Sequence, residues 1–97
     1  MSLLNELKYE IQTYSNELLE LRRDFHMFPE LGFQEIRTSE KIATYLKALG
    51  LEVREKIAHT GVVAILEGKK EGKTVMLRSD MDALPIEEQN EVPYRSR

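Results

Sequence analysis

Two aspartates, Asp80 and Asp82, stand one residue apart at the end of a short apolar run in the stretch "TVMLRSDMDALP". In an extended chain alternate side chains point the same way, so both carboxylates are expected on one side. Neighbouring carboxylates repel each other, and the pair therefore favours a shared proton or a bound cation. A structural alternative stays open, in which one aspartate caps the loop backbone and the other is merely solvated.

Three kinds of enzyme use such a pair. A glycosyltransferase holds a divalent cation and a nucleotide-sugar diphosphate with it, and a metallohydrolase places acids beside its metal ions. A haloacid-dehalogenase-like phosphatase has a nucleophilic aspartate with a second acid two residues later. The phosphatase pattern fails here, because Leu84 stands where that motif has Thr or Val and is followed by Pro85. The pair alone does not choose between the other two.

The overall composition narrows the class of protein. The chain has 97 residues, which suits one modest domain, and its net charge of −3 is unlike the basic surface of a nucleic-acid binder. It has no cysteine, so disulfides and thiolate metal sites are excluded within these residues. No apolar run has the length of a membrane span, and the first residues do not resemble a signal peptide. We therefore expect a cytoplasmic protein without nucleic-acid or membrane partners.

The elements that must position the aspartates begin with two predicted helices. The first is a single helix of about seven turns, which Pro29 ends. Its apolar stripe indicates a helix packed on a sheet, with a coiled-coil seam as the alternative. Gly32 is free to take positive φ in the irregular connector that follows. A second helix spans residues 35–49 and is capped by Gly50. The stripe of the first helix comprises Leu4, Leu7, Ile11, Tyr14, Leu18, Leu21, Phe25 and Phe28.

Three strands are predicted after Gly50. Residues 51–57 alternate between apolar and charged, which is typical of a half-exposed strand. Residues 62–66 and 74–77 are apolar throughout and predict strands covered on both faces, joined by a glycine-containing hairpin loop. The order is α-α-β-β-β, an α/β arrangement. Because two helices cannot cover both faces of such a sheet, we expect these residues to be part of a larger layered domain.

Three segments together resemble the M20 metallopeptidase family, in the amidohydrolase branch that includes N-acyl-amino-acid, hippurate and auxin-conjugate hydrolases. They are "LRRDFHMFPELGFQE" (21–35), "HTGVVAILEG" (59–68) and "LRSDMDALPIEE" (77–88). Their order and spacing agree with that branch, and the resemblance covers the chain from about residue 18 onward. It implies that residues 1–97 are the N-terminal part of a single three-layer α/β/α catalytic domain with a mixed sheet. The rest of that domain and an inserted small domain lie outside these residues.

The resemblance also implies a reaction. Members of the family hydrolyse an amide with two divalent metal ions (Zn, Mn, Co or Ni) and a glutamate base. The substrate would be a small N-acyl amino acid or a peptide-like molecule, and a homo-oligomer stays open. In this branch the metal ligands include an H-A-C-G-H-D motif, a glutamate and further histidines, none of which matches a residue of this chain. We therefore expect no metal ligand and no tightly bound metal here, and a chain that is inactive alone.

The resemblance assigns roles to a few residues. Asp82 would lie beside the metals and orient a ligand without binding the metal itself. Asp80 and Arg78 would line the site, and Arg78 is expected to pair with one of the acids. Glu88 is expected to order its loop. No residue is assigned as catalytic with certainty.

The remaining polar residues of the three segments have structural interpretations. His26 is expected to fasten the turn at residues 29–32 through its ring, and His59 to be a turn residue. Glu30 and Glu35 are expected to pair with basic groups or to cap the second helix near its N-terminus. The competing class for the whole chain is a stand-alone, non-enzymatic helix–sheet module that binds a partner through its uncovered sheet face.

Overall fold

The computed structural model describes residues 2–97 and has three helices and two strands. In chain order they are α1 (Leu3–Thr13), α2 (Ser15–Met27), α3 (Ile36–Ala48), β1 (Glu52–Ile57) and β2 (Gly61–Ile65). The predicted α/β character is confirmed. The backbone divides into two compact units, one of which joins residues 2–28 to Glu87–Arg97, while the other spans Pro29–Ile86.

The predicted first helix is two helices, because the chain leaves helical geometry at Tyr14 (φ −98°, ψ 5°). The hydroxyl of Thr13 donates to the carbonyl of Glu10 over 2.6 Å, and the N–H of Tyr14 donates to Ile11, three residues back. These contacts tighten the last turn of α1 and compete with the regular i to i−4 pattern. Pro29 lies beyond the end of α2, as expected.

The second predicted helix is present as α3 and ends where the sequence predicts. Gly50 adopts φ +84°, the left-handed conformation that favours glycine after a helix. Gly32 does not use its freedom to take positive φ, and the left-handed residue of that connector is Phe33 (φ 63°). Phe33 is the third residue of a turn closed by Gln34 N–H and Leu31 C=O, where a type II turn requires positive φ.

The strands β1 and β2 form an antiparallel pair in which Val53 faces Ala64 and Arg54 faces Val63. The register shifts between Arg54 and Ile57, where Lys56 takes φ 57°, so β1 carries one extra residue as a bulge. Helix α3 packs against both strands. It covers one face of the sheet and thereby sets the position of the turn between the strands.

The predicted third strand at residues 74–77 is not formed. Its apolar side chains are almost fully exposed, at 83% for Val75, 83% for Met76 and 94% for Leu77. Strand propensity expresses packing against neighbours more than an intrinsic preference of the backbone, and no neighbour pairs with this segment among residues 2–97. The hairpin expected at residues 67–73 is absent for the same reason.

The apolar core of the described residues is small. Ala43 of α3 is the buried hydrophobic residue among residues 2–97, and neither α1 nor α2 has a buried residue. The prediction that β2 is covered on both faces is wrong, since Val63 is 43% exposed and only the α3 side is packed. In the part of the chain described here, no helix combines the length and hydrophobicity needed to cross a bilayer.

Candidate functional site

The first pair of predicted site residues, Arg78 and Asp80, forms an ion pair. The Arg78 guanidinium donates to the Asp80 carboxylate over 2.7 Å, and both side chains are exposed. Exposed pairs of this kind contribute between about 0 and 1 kcal/mol, because water competes for both groups. The pair therefore sets the local orientation of Asp80 more than the stability of the unit.

Asp80 also borders an open depression of about 280 Å³ in the unit Pro29–Ile86. One side of this depression is formed by α3 and the start of β2, and the other by the segment that contains Asp80. Its lining residues are Ile42, Gly61, Val62, Ser79, Asp80 and Met81. The carboxylate of Asp80 thus stands at the border of a depression whose other lining residues include the apolar side chains of Ile42, Val62 and Met81.

Asp82 lies in a different environment from Asp80. Its carboxylate oxygen Oδ2 would be 3.9 Å from a methyl group added to Gly32, so the side chain lies against the turn at residues 31–34. The next residue, Ala83, donates its N–H to the carbonyl of Glu30 over 2.8 Å. The sequence expected both aspartates on one side, whereas the structure places one at the depression and the other at this turn. Their roles in catalysis stay predictions.

Gly61, which lines the depression, cannot carry a larger side chain without a backbone shift. A Cβ atom at this position would lie 2.4 Å from the carbonyl oxygen of Ile57. Real Cβ atoms do not come so close to a backbone atom, so glycine is required where β2 leaves the turn. The "HTG" turn thus has a steric reason for its last residue.

Glu30 takes over the capping of α3 from a position six residues before the helix begins. Its two carboxylate oxygens accept the N–H groups of Arg37 (3.1 Å) and Thr38 (2.6 Å), both in the first turn. Burial raises the pKa of Glu30, but hydrogen bonds from Thr38, Arg37 and Ile36 outweigh it, and the net pKa lies below the usual glutamate value. The expectation that Glu30 caps this helix is confirmed.

Glu35 occupies the N-cap position of α3, yet its side chain turns to another partner. The hydroxyl of Thr60 donates to its Oε2 over 3.0 Å, and both residues are buried. The other oxygen, Oε1, is buried and has no hydrogen-bond partner among residues 2–97. Beside this bond the rings of Phe33 and His59 meet edge to face at 5.4 Å, and His59 lies in a turn as expected.

In the other unit, His26 holds the C-terminal residues on α2. Its Nε2 lies 3.0 Å from each carboxylate oxygen of Glu88, and its ring meets Tyr94 edge to face. The hydroxyl of Ser96 donates to the carbonyl of His26 over 2.7 Å. The sequence expected His26 to fasten the turn at residues 29–32, and the structure gives its ring a carboxylate partner instead. The ordering of its loop by Glu88 stays a prediction.

The described residues do not form the donor set of a two-metal centre. Among residues 2–97, no three side chains of the histidine, aspartate or glutamate type lie close enough together to hold a metal ion. The chain also has no cysteine and only two histidines.

Sequence reasoning missed the pairing of Glu35 with Thr60 and that of His26 with Glu88. Each pairing joins residues far apart along the chain, at separations of 25 and 62 positions, so no local sequence pattern predicts it. One signal was available, because all four residues lie in the three segments that carry the family resemblance. The contacts give these segments a structural reason to occur together.

Comparison with known proteins agrees with the geometry, although no protein-family model matches the chain. Over the whole of this chain, the sequence is 41% identical to thermostable carboxypeptidase 1 of Saccharolobus solfataricus. Over 91% of this chain, it is 43% identical to the hippurate hydrolase of Campylobacter jejuni. These alignments cover 25% and 23% of the two relatives, so the chain spans about a quarter of their length.

A solved structure gives the same assignment. The crystal structure of Bacillus subtilis YxeP, described as a dinuclear metal binding peptidase from the M20 family, superposes with a TM-score of 0.81 at 38% sequence identity. The match covers 89% of this chain and 24% of that one. Sequence and fold agree, and the chain therefore belongs to the M20 peptidase family, of which it represents the N-terminal portion.

Proposed function

We propose that this chain is the N-terminal part of the catalytic domain of a metal-dependent amidohydrolase that cleaves the amide bond of N-acyl amino acids or similar conjugates. The observation that supports the substrate class is the 43% identity with a hippurate hydrolase, an enzyme named for an N-acyl amino acid. The fold match to a dinuclear metal binding peptidase supports a pair of divalent ions. Zn, Mn, Co and Ni are the candidate metals.

In this proposal the chain contributes walls of the site and not its metal ligands. Asp80, which forms an ion pair with Arg78, borders the open depression, and Asp82 lies at the turn beside Gly32. These groups orient neighbouring groups by charge and hydrogen bonding. The ligands and the general base come from other parts of the complete protein, so the 97-residue chain is inactive by itself.

A chimaera tests this function. The matching first quarter of the Campylobacter jejuni hippurate hydrolase is replaced by this chain, and hydrolysis of hippurate is measured with Zn²⁺, Mn²⁺ or Co²⁺. We expect turnover by the chimaera, a loss of roughly 10- to 100-fold in Asp82→Asn, and none in the 97-residue chain alone. Folded chimaeras without turnover would contradict the proposed function. Rapid turnover by the chain alone would contradict the proposal that the metal ligands and the general base lie outside it.

A further inference from the structure

The turn before α3 is held at two points by one residue, Glu30. Its carboxylate accepts the N–H groups of Arg37 and Thr38, which belong to the first turn of α3 and have no partner inside the helix. A charged acceptor is favoured here, because the N-terminal end of a helix carries partial positive charge. The side chain of Glu30 is thus fixed relative to the helix axis.

The backbone of the same residue holds a second element. The carbonyl oxygen of Glu30 accepts the N–H of Ala83 over 2.8 Å. Within residues 2–97, this is the backbone hydrogen bond that joins the exposed segment 66–86 to another part of its unit. Asp82 immediately precedes that N–H group, and its carboxylate lies against Gly32, two residues after Glu30.

The N-cap residue of α3 does not cap the helix with its side chain, so it cannot replace Glu30. Glu35 is the N-cap residue of α3, but its carboxylate is engaged with the buried hydroxyl of Thr60. Capping has therefore moved to Glu30, which is the residue that also carries the carbonyl bound to Ala83. Glu30 thus links the residue that follows Asp82 to the first turn of α3.

We propose that Glu30 is a positioning residue for Asp82, which it holds in place through its cap on α3 and its carbonyl bond to Ala83. Its importance for hydrolysis rests on the proposed function, in which Asp82 stands at the catalytic site. Loss of the Glu30 carboxylate frees the turn, so its carbonyl no longer has one direction and the bond to Ala83 opens more often. Asp82 then samples more orientations, while residues distant from the turn are unaffected.

The link itself is tested by amide hydrogen exchange of the 97-residue chain. We expect the Ala83 amide to exchange roughly tenfold faster in Glu30→Ala than in the wild type, since one hydrogen bond to a backbone partner is weakened. Glu40→Ala is the matched control: it removes the carboxylate of an exposed glutamate of the same unit, beyond the first turn of α3, and Ala83 should exchange as in the wild type. The Ala43 amide of α3 reports whether each variant is folded.

If Glu30→Ala also loses protection at Ala43, then Glu30→Gln, which keeps one acceptor oxygen, replaces it in the comparison. Unchanged exchange at Ala83 in the folded variant would overturn the inference. An Ala83 amide that is already unprotected in the wild type would overturn it as well. Equal acceleration in Glu40→Ala would show a general loss of stability in place of positioning.

The consequence for the reaction is measured in the hippurate hydrolase chimaera. We expect Glu30→Ala to lower kcat by roughly 10-fold with KM unchanged, Glu30→Gln to recover part of that loss, and Glu40→Ala to leave kcat as it was. If Asp82→Asn lowers kcat and Glu30→Ala does not, the positioning role is wrong and the proposed function stands. If Asp82→Asn has no effect, the proposed role of Asp82 is wrong, and the exchange experiment still decides whether Glu30 holds Ala83.

Discussion

The buried bond between Thr60 and Glu35 allows a prediction with a worked magnitude. Glu35 is 7% exposed and Thr60 is 6% exposed, and the hydroxyl lies 3.0 Å from Oε2. Because Oε1 has no hydrogen-bond partner among residues 2–97, Thr60 supplies the hydrogen bond that this carboxylate has there. The replacement Thr60→Val keeps the shape of the side chain and removes its donor.

The expected cost follows from the charge of the acceptor. A hydrogen bond to a charged group contributes about 1.5–3 kcal/mol, and its loss leaves a buried carboxylate without a donor. We expect Thr60→Val to lower the free energy of unfolding by about 2 kcal/mol, which is roughly a 30-fold change in the equilibrium constant. Thr60→Ser keeps the hydroxyl and is expected to lose less than about 1 kcal/mol, the contribution of one buried methyl group.

The assay is urea unfolding followed by circular dichroism, with the double variant Glu35→Ala/Thr60→Val completing a mutant cycle. In the cycle the cost of Thr60→Val should largely disappear once the carboxylate has been removed. A coupling energy near zero would refute the reasoning, and so would a Thr60→Ser variant as unstable as Thr60→Val. Either result would mean that the hydroxyl does not bind the buried carboxylate in solution.

Three further predictions follow from the same contacts. Gly61→Ala is expected to lower the free energy of unfolding by more than about 1 kcal/mol, because its Cβ would meet the Ile57 carbonyl at 2.4 Å; urea unfolding measures this, with Gly72→Ala as control since Gly72 has open space around it. Folding lowers the pKa of Glu30, so the stabilisation by its carboxylate is complete above the unfolded pKa of about 4.3 and is lost as pH falls through the folded pKa. Urea unfolding should therefore show a difference in stability between Glu30→Gln and the wild type at neutral pH, and the two should converge in acid. Glu88→Gln weakens the contact to His26 and should speed exchange of the Arg97 amide, which donates to the carbonyl of Met27.

Each of these three predictions has a result that contradicts it. Equal stability of Gly61→Ala and Gly72→Ala would show that the turn relaxes freely around Ile57. A constant difference between wild type and Glu30→Gln across the acid range would mean that the Glu30 carboxylate has no altered pKa in the fold. For Glu88→Gln the matched control is Glu91→Gln. Equal exchange of the Arg97 amide in both variants would show that Glu88 does not hold the C-terminal residues on α2.

Local patterns predicted one helix and one strand correctly. Helix α3 and its end at Gly50 follow from apolar spacing and from the tolerance of glycine for positive φ. The strand β1 follows from the alternation of residues 51–57. The break at Tyr14 did not follow, because the hydrophobic stripe continues through it while the hydroxyl of Thr13 competes for a backbone carbonyl.

The third strand was mispredicted for a different reason. Residues 74–77 have strand-like composition, but a strand is stabilised by a hydrogen-bonded neighbour and a covered face. Among residues 2–97 the sheet has two strands, and the side chains of this segment are exposed. Composition therefore indicates that the segment can form a strand, whereas strand pairing requires a neighbouring strand with which it can form hydrogen bonds.

By itself the sequence determined the α/β class, the family and the segments that carry its polar residues, since these depend on residue type and spacing along the chain. Only the tertiary structure decided that Glu30 serves α3 and Ala83 together, that Thr60 binds Glu35, and that Asp80 and Asp82 have different surroundings. The physical reason is that hydrogen bonds to buried or capping groups depend on distances through space. Such distances are set when α3, the strands and the turns pack against one another.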